Sequence, residues 1–131
     1  ISRKSKAFNI SKLLFLVSQQ ISTQKLLDMA TEIAVSGKRE RLSSSQINSF
    51  IEYAQQSRDV NLVSLFIIRQ AQRGHFVNTG KLLVKYITQL NDINKVIELL
   101  GYVKWLSESI EDVRVDFNTK SFHDLLKQIV Q

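Results

Sequence analysis

An all-α fold is what three features of this 131-residue sequence predict. It contains no Pro and only four Gly, so almost nothing interrupts a helix. Apolar residues recur at three- and four-residue spacings along most of the chain. The positions between them are filled largely by Leu, Ile, Lys, Gln, Glu and Ala, which favour or tolerate helix. At this length the chain is expected to form one domain, 1–131, built as a compact bundle of five to seven helices around a single core. Hydrophobic content of 44% and charged content of 23% are those of an ordinary globular protein. The longest apolar runs, Leu13–Val17 and Leu65–Ile68, fall far below the roughly 20 residues needed to span a bilayer, so no membrane partner is expected.

Taken in order, residues 1–8 read as a basic, mobile arm. Ile10, Leu13, Leu14, Val17 and Ile21 follow helical spacing and predict a first short helix. A second is expected from a cap at Ser22 or Thr23 through Leu26, Met29, Ala30 and Ile33, with Gly37 just past its end, where a positive φ is cheapest. The stretch "GKRERLSSSQI", residues 37–47, is then a short interhelix turn. Ser43 and Gln46 form an S-x-x-Q capping box with Leu42 and Ile47 as its hydrophobic staple, so a helix starts at Ser43. It turns Ile47, Phe50, Ile51 and Ala54 inward and ends near Ser57.

The next helix, capped by Asp59, has apolar residues all round its first two turns and is expected to be the central, most buried one. "HFVNTG", residues 75–80, reads as a connection with Thr79 a cap. A helix over about 80–90 follows, with Leu83, Tyr86, Ile87 and Leu90 on one side. Another runs from Asn91 or Asp92 to about Ser109, with Ile93, Val96, Ile97, Leu100 and Val103 at core spacing. "EDVRVDF" alternates and could be extended, and Phe122, Leu125, Leu126 and Ile129 mark a terminal amphipathic helix within a C-terminal extension, 111–131. The expected core is Ile47, Phe50, Ile51, Leu65, Phe66, Ile68, Leu83, Ile87, Ile97 and Leu100.

The net charge of +6 is unevenly placed: residues 1–90 hold 13 Lys or Arg against 5 Asp or Glu, and residues 91–131 hold 5 against 7. A basic surface of this kind suits a polyanion, above all the phosphate backbone of RNA or DNA. Three clusters stand out at spacings that face one direction: Lys38, Arg39 and Arg41 in one turn, Arg69 and Arg73 on one helix edge, and Lys81 and Lys85 on another. Each lies in the segment of net positive charge, and together they make nucleic acid the leading partner class. Tyr53, Tyr102 and Trp105 lie off the most apolar stripes and are candidates for an interface.

Catalytic signatures are sparse. There is no Cys, which excludes disulfides, thiolate metal sites and Cys nucleophiles and suits a reducing, cytoplasmic setting. His75 and His123 are the only imidazoles and have no metal-ligand spacing, His123–Asp124 lacks a nucleophile motif, and the glycines at 37, 74, 80 and 101 are isolated. No enzyme activity, cofactor or metal is expected. Residues 1–27 lack acids, as a targeting presequence does, but Leu13–Val17 is too short for a secretory core. An opening Ile is what a trimmed or internal segment shows.

The helix ending in "MATEIAVSGKRERLSSSQINSFIEYAQ", followed by "LVSLFIIRQAQRGHF", "KLLVKYI" and "VIELLGYVKWLSES", resembles the small all-α subunit of CRISPR effector complexes. It is most similar to the type III-A version, where an L-[ST]-[ST]-S-Q-[IL] helix start and a later Q-A-x-R helix end occur in that order. Here they are Leu42 to Ile47 and Gln70 to Arg73, and the likeness covers about residues 24–109. The resemblance implies a non-catalytic, antiviral ribonucleoprotein subunit that stacks with copies of itself and with other subunits. It would contact guide–target duplex or displaced strand through Lys38, Arg39, Arg41, Arg69 and Arg73. The basic arm and the helix after Glu111 lie outside the family pattern. The alternative from the residues alone is a protein–protein adaptor whose first and last helices dock on a partner.

Overall fold

Side-chain oxygens set where most of the helices begin. In the computed structural model, which describes Ile10 and residues 21–131, α1 spans Thr23–Glu40, α2 Ser44–Ser57, α3 Val60–Gly74, α4 Val77–Leu90, α5 Ile93–Ser109 and α6 Phe122–Ile129. Ser22, Ser43, Asp59, Asp92 and Ser121 each cap the helix that follows by accepting from a backbone N–H of its first turn. The capping box is complete: Gln46 N–H reaches Ser43 Oγ at 3.2 Å and Ser43 N–H reaches Gln46 Oε1 at 2.9 Å. The arm at residues 1–8 and the predicted first helix, apart from Ile10 and Ile21, lie outside the described residues. Among those residues there are six helices and no strand, an all-α bundle as expected.

The central helices are α1 and α5, which pack along each other and against which α2, α4 and α6 are laid. Their seam buries Leu26, Ile33, Leu99, Leu100 and Val103. Helix α2 also lies on α5, and α4 lies on α1. Helix α6 lies on α1 too, burying Leu125, while Asp28 accepts from the backbone of Phe122 at 2.8 Å. Phe50 and Phe76 are fully buried with ring centroids 6.0 Å apart, joining α2 to the α3–α4 corner.

Three local expectations are corrected. Gly37 does not end α1; the helix continues through Lys38, Arg39 and Glu40, and Arg41 takes the left-handed conformation at φ 63°. Leu42 N–H returns to the Gly37 carbonyl oxygen at 2.8 Å and Arg41 N–H to that of Lys38 at 3.3 Å, the Schellman pattern, and a Cβ on Gly37 would meet Leu42 at a tight 3.3 Å. Residues 38–40 are therefore a helical turn. Helix α4 begins at Val77, three residues before expectation, with Thr79 buried inside it. The segment "EDVRVDF" turns and bends over residues 111–113 and runs through 114–116 without regular structure, so it joins no strand among the described residues.

The fourth correction concerns α3, which is peripheral: it packs on α4 and α2 and makes no extensive contact with α1 or α5. Two neighbours can cover only one side of a helix whose first turns are apolar all round. Val63, Ile67 and Ala71 are buried, while Leu65 is 63% exposed, Ile68 43% exposed and Phe66 half-buried. Ile51 and Ile97 are also only half-buried, whereas Ile47, Phe50, Leu83, Ile87 and Leu100 sit in the core as expected. The α3–α4 contact itself is close, since a Cβ on Gly80 would lie 2.5 Å from Ala71 Cβ.

Candidate nucleic-acid interface

The last turn of α1 holds the densest run of charge in the sequence, and the fold engages two of its four members internally. Lys38 Nζ donates to the carbonyl oxygens of Ile110 at 2.6 Å, Glu111 at 3.1 Å and Val113 at 2.6 Å. These groups follow the C-terminus of α5, where unpaired carbonyls collect and a cation is favoured. An ammonium has three protons, and all three have acceptors here. Lys38, an expected phosphate contact, is thus a clamp on α5.

Glu40 does the reciprocal task for α4, whose own N-cap position is Phe76 and supplies no side-chain acceptor. Its Oε1 accepts from Thr79 N–H at 2.6 Å and Thr79 Oγ1 at 2.5 Å, and Oε2 from Asn78 N–H at 3.4 Å. Partial burial raises the Glu40 pKa, but the hydrogen bonds from Thr79 and Asn78 outweigh it and hold the carboxyl below its usual value. A second α1–α4 tie is Tyr86 O–H donating to Glu32; burial first, then this carboxylate, pushes the phenol up to about 12.

Arg39 and Arg41 stay exposed, each with a neighbour that limits it. The Arg39 guanidinium lies 5.6 Å from the centre of the Phe117 ring. Arg41 lines a cleft of about 310 Å³ with Lys38, Ser43, Ser44 and Glu111, so a carboxylate shares the cleft with its cations. That weakens its appeal to an anion.

The α3–α4 hairpin is different. Residues 60–91 contain Arg69, Arg73, Lys81 and Lys85 and not one Asp or Glu. The acids that bracket it, Asp59 and Asp92, are both occupied as helix caps. Arg69, Arg73, Lys81 and Lys85 are exposed, and among the described residues the one salt bridge is Lys95–Glu98, so none of the four has an ionic partner there. Lys85 Nζ lies 5.5 Å from the Tyr86 ring centre. The His75–Phe76 link joins the two helices, with His75 left-handed at φ 61°.

The structure therefore does not gather all seven predicted residues. Lys38 is engaged at the end of α5, and Arg39 and Arg41 belong to the end of α1, which meets the hairpin where Glu40 accepts from Asn78 and Thr79. The sequence reading missed Leu62, Leu65, Ile68 and Val77 as surface residues, all exposed on the hairpin. The signal that could have found the surface was the 32-residue absence of acid between two capping aspartates.

Of the other candidates, Tyr53 stacks on Phe66 with ring centres 4.4 Å apart. Trp105 is 67% exposed, 6.3 Å from Tyr102 on α5. Burial, then the Glu98 carboxylate, raises the Tyr102 pKa. His75 ends α3 and His123 lies in the first turn of α6; among the described residues no group of three His, Cys, Asp or Glu could hold a metal ion. No described helix is long and apolar enough to cross a membrane. No protein-family model matches the chain, and no curated protein matches it.

Proposed function

We propose that this chain is a non-catalytic subunit that binds the phosphate backbone of a nucleic acid through its α3–α4 hairpin. The observation that carries the reading is the acid-free hairpin, whose four exposed cations have no ionic partner among the described residues. Such charges bind phosphate without reading base sequence, because they meet a repeating anion and release its counterions. Arg69 and Arg73, one turn apart, present planar guanidinium forks, and Lys81 and Lys85 add point charges. The resemblance to the small subunit of CRISPR effector complexes supports the same reading. It implies phosphate contacts at Arg69 and Arg73 of the hairpin as well as at Lys38, Arg39 and Arg41, and the all-α bundle agrees with the fold it implies. Within such a complex, in a cytoplasmic setting, other subunits and further copies of the chain would be its protein partners.

The test is binding of labelled oligonucleotides across a salt series by the wild type and by the variant with Arg69, Arg73, Lys81 and Lys85 all changed to Ala. The variant should keep its helical circular dichroism and bind every sequence more weakly by a similar factor. Its log–log salt slope should flatten by about 0.7 to 0.9 for each phosphate no longer neutralised. Unchanged affinity and slope would refute the reading.

A second reading, a protein–protein contact made by α5 and not by the first and last helices, draws on Trp105, 67% exposed beside Tyr102. An aromatic docking contact responds little to salt, so the same series separates the two.

A further inference from the structure

Phosphate binding gives no role to the apolar side chains that stand among the hairpin's cations. Leu62, Leu65 and Ile68 follow one another at three-residue spacing along α3, exposed by 44, 63 and 43%. Beside them Tyr53 of α2 and Phe66 of α3 are stacked, with 9° between their planes. Tyr53, Leu62, Leu65, Phe66 and Arg69 line one open concavity of about 370 Å³, within the size range of sites that take small organic groups. We propose that this concavity receives an unpaired nucleobase, so that the hairpin's ligand is single-stranded RNA or DNA and not a duplex. This inference rests on the nucleic-acid reading above and adds the form of the strand.

A duplex turns its phosphates outward and keeps its bases paired, so an apolar concavity beside a phosphate contact gains nothing from it. A single strand exposes the flat faces of its bases, and every base has a π-face that stacks on an aromatic ring or a guanidinium plane. The parts are present together. The stacked rings of Tyr53 and Phe66 supply aromatic lining, Leu62 and Leu65 aliphatic lining, and Arg69 a planar cation. Arg73 lies one helical turn on from Arg69, the spacing that suits an adjoining phosphate, and α3 itself carries no acid; the carboxylates that meet the hairpin, Glu40 and Glu32, bond to Asn78, Thr79 and Tyr86 of α4. A docking protein helix would use a longer apolar ridge of i, i+3, i+4 and i+7 anchors. Here the ridge stops at Ile68, where Arg69, Gln72 and Arg73 take over the exposed positions.

The probes are labelled oligothymidylate, oligouridylate, an abasic deoxyribose strand and a duplex, all of one length, with wild type and Leu65→Ser. Leu65 is 63% exposed, so the variant should keep the fold, which circular dichroism checks. Wild type should hold oligothymidylate or oligouridylate at least about fivefold more tightly than the abasic strand, the lower end of what one stacked base contributes. Oligodeoxyuridylate, which shares its base with oligouridylate and its sugar with oligothymidylate, separates sugar from methyl, and whichever of the two uridine strands is held more tightly names the source. Leu65→Ser should shrink that ratio toward one without changing the salt slope.

If the abasic strand and the duplex bind as well as the thymidine strand, with the salt slope intact, the inference fails and phosphate binding stands. Failure to bind any of the probes removes both. If instead a Glu/Leu amphipathic peptide binds, Leu65→Ser abolishes that binding, and the strands do not differ, the concavity belongs to a protein partner and the inference is overturned.

Discussion

Two basic regions of this chain look alike in composition and differ in what the fold leaves them free to do. At the end of α1, Lys38 has its three protons on carbonyls beyond α5 and Glu40 caps α4, so the charges hold three helices in register. On the α3–α4 hairpin, Arg69, Arg73, Lys81 and Lys85 have no ionic partner among the described residues and no acid within the hairpin. A basic cluster is a potential binding site only where its donors have not already found acceptors. Clusters at helix C-termini are the ones most apt to have found them, because orphan carbonyls gather there.

The comparison can be broken from either side, beginning with the largest effect. Gly80→Val forces side-chain atoms into the place where even a Cβ would lie 2.5 Å from Ala71 Cβ. It should separate α3 from α4 at a cost of about 3 kcal/mol, read as a lowered urea midpoint. Lys38→Met keeps the stem but strands three carbonyls at and beyond the α5 terminus, and should cost about 2 kcal/mol.

Glu40→Ala removes the cap of α4 and should cost about 1 kcal/mol at neutral pH. Because the folded Glu40 pKa is lowered, its contribution is present above the unfolded carboxylate value and is lost as pH falls through the folded one. Wild type and Glu40→Ala should therefore converge in stability as pH falls below the usual carboxylate range, which urea titrations at several pH values will show. Smallest of all, Arg69→Ala and Arg73→Ala should each change stability by less than about 0.5 kcal/mol, since both are exposed and neither has an ionic partner among the described residues. A cost near that of Lys38→Met would mean that these arginines too hold the fold together.

What the sequence revealed of this fold was mainly local. Ser43 with Gln46, Asp59 and Asp92 announce their helices because a cap is satisfied within one turn, and Leu83, Ile87 and Leu100 lie in the core because periodicity reports burial when a helix has neighbours on its apolar side. What it concealed was long-range. Glu40 meets Thr79 across 39 positions and Lys38 meets Ile110 across 72, so neither partner is visible in a local window. Leu65 and Ile68 read as core because α3 is apolar all round, but how many neighbours a helix receives is decided by the packing of the whole bundle. The same limit applied to the site. Spacing found Arg69, Arg73, Lys81 and Lys85 and also Lys38, and only the fold separates free donors from engaged ones.

The most direct measurement compares two double variants, Arg69→Ala/Arg73→Ala on the hairpin and Arg39→Ala/Arg41→Ala at the end of α1, by the salt dependence of oligonucleotide affinity. Each pair removes two exposed guanidinium groups, so the loss of charge is the same in both variants. If the hairpin is the contact surface, its variant flattens the log–log slope by about 1.4 to 1.8, as two un-neutralised phosphates require, while the α1 variant leaves it near the wild-type value. A flattened slope in the α1 variant with an unchanged one in the hairpin variant would contradict the account and return the phosphate contact to the KRER turn.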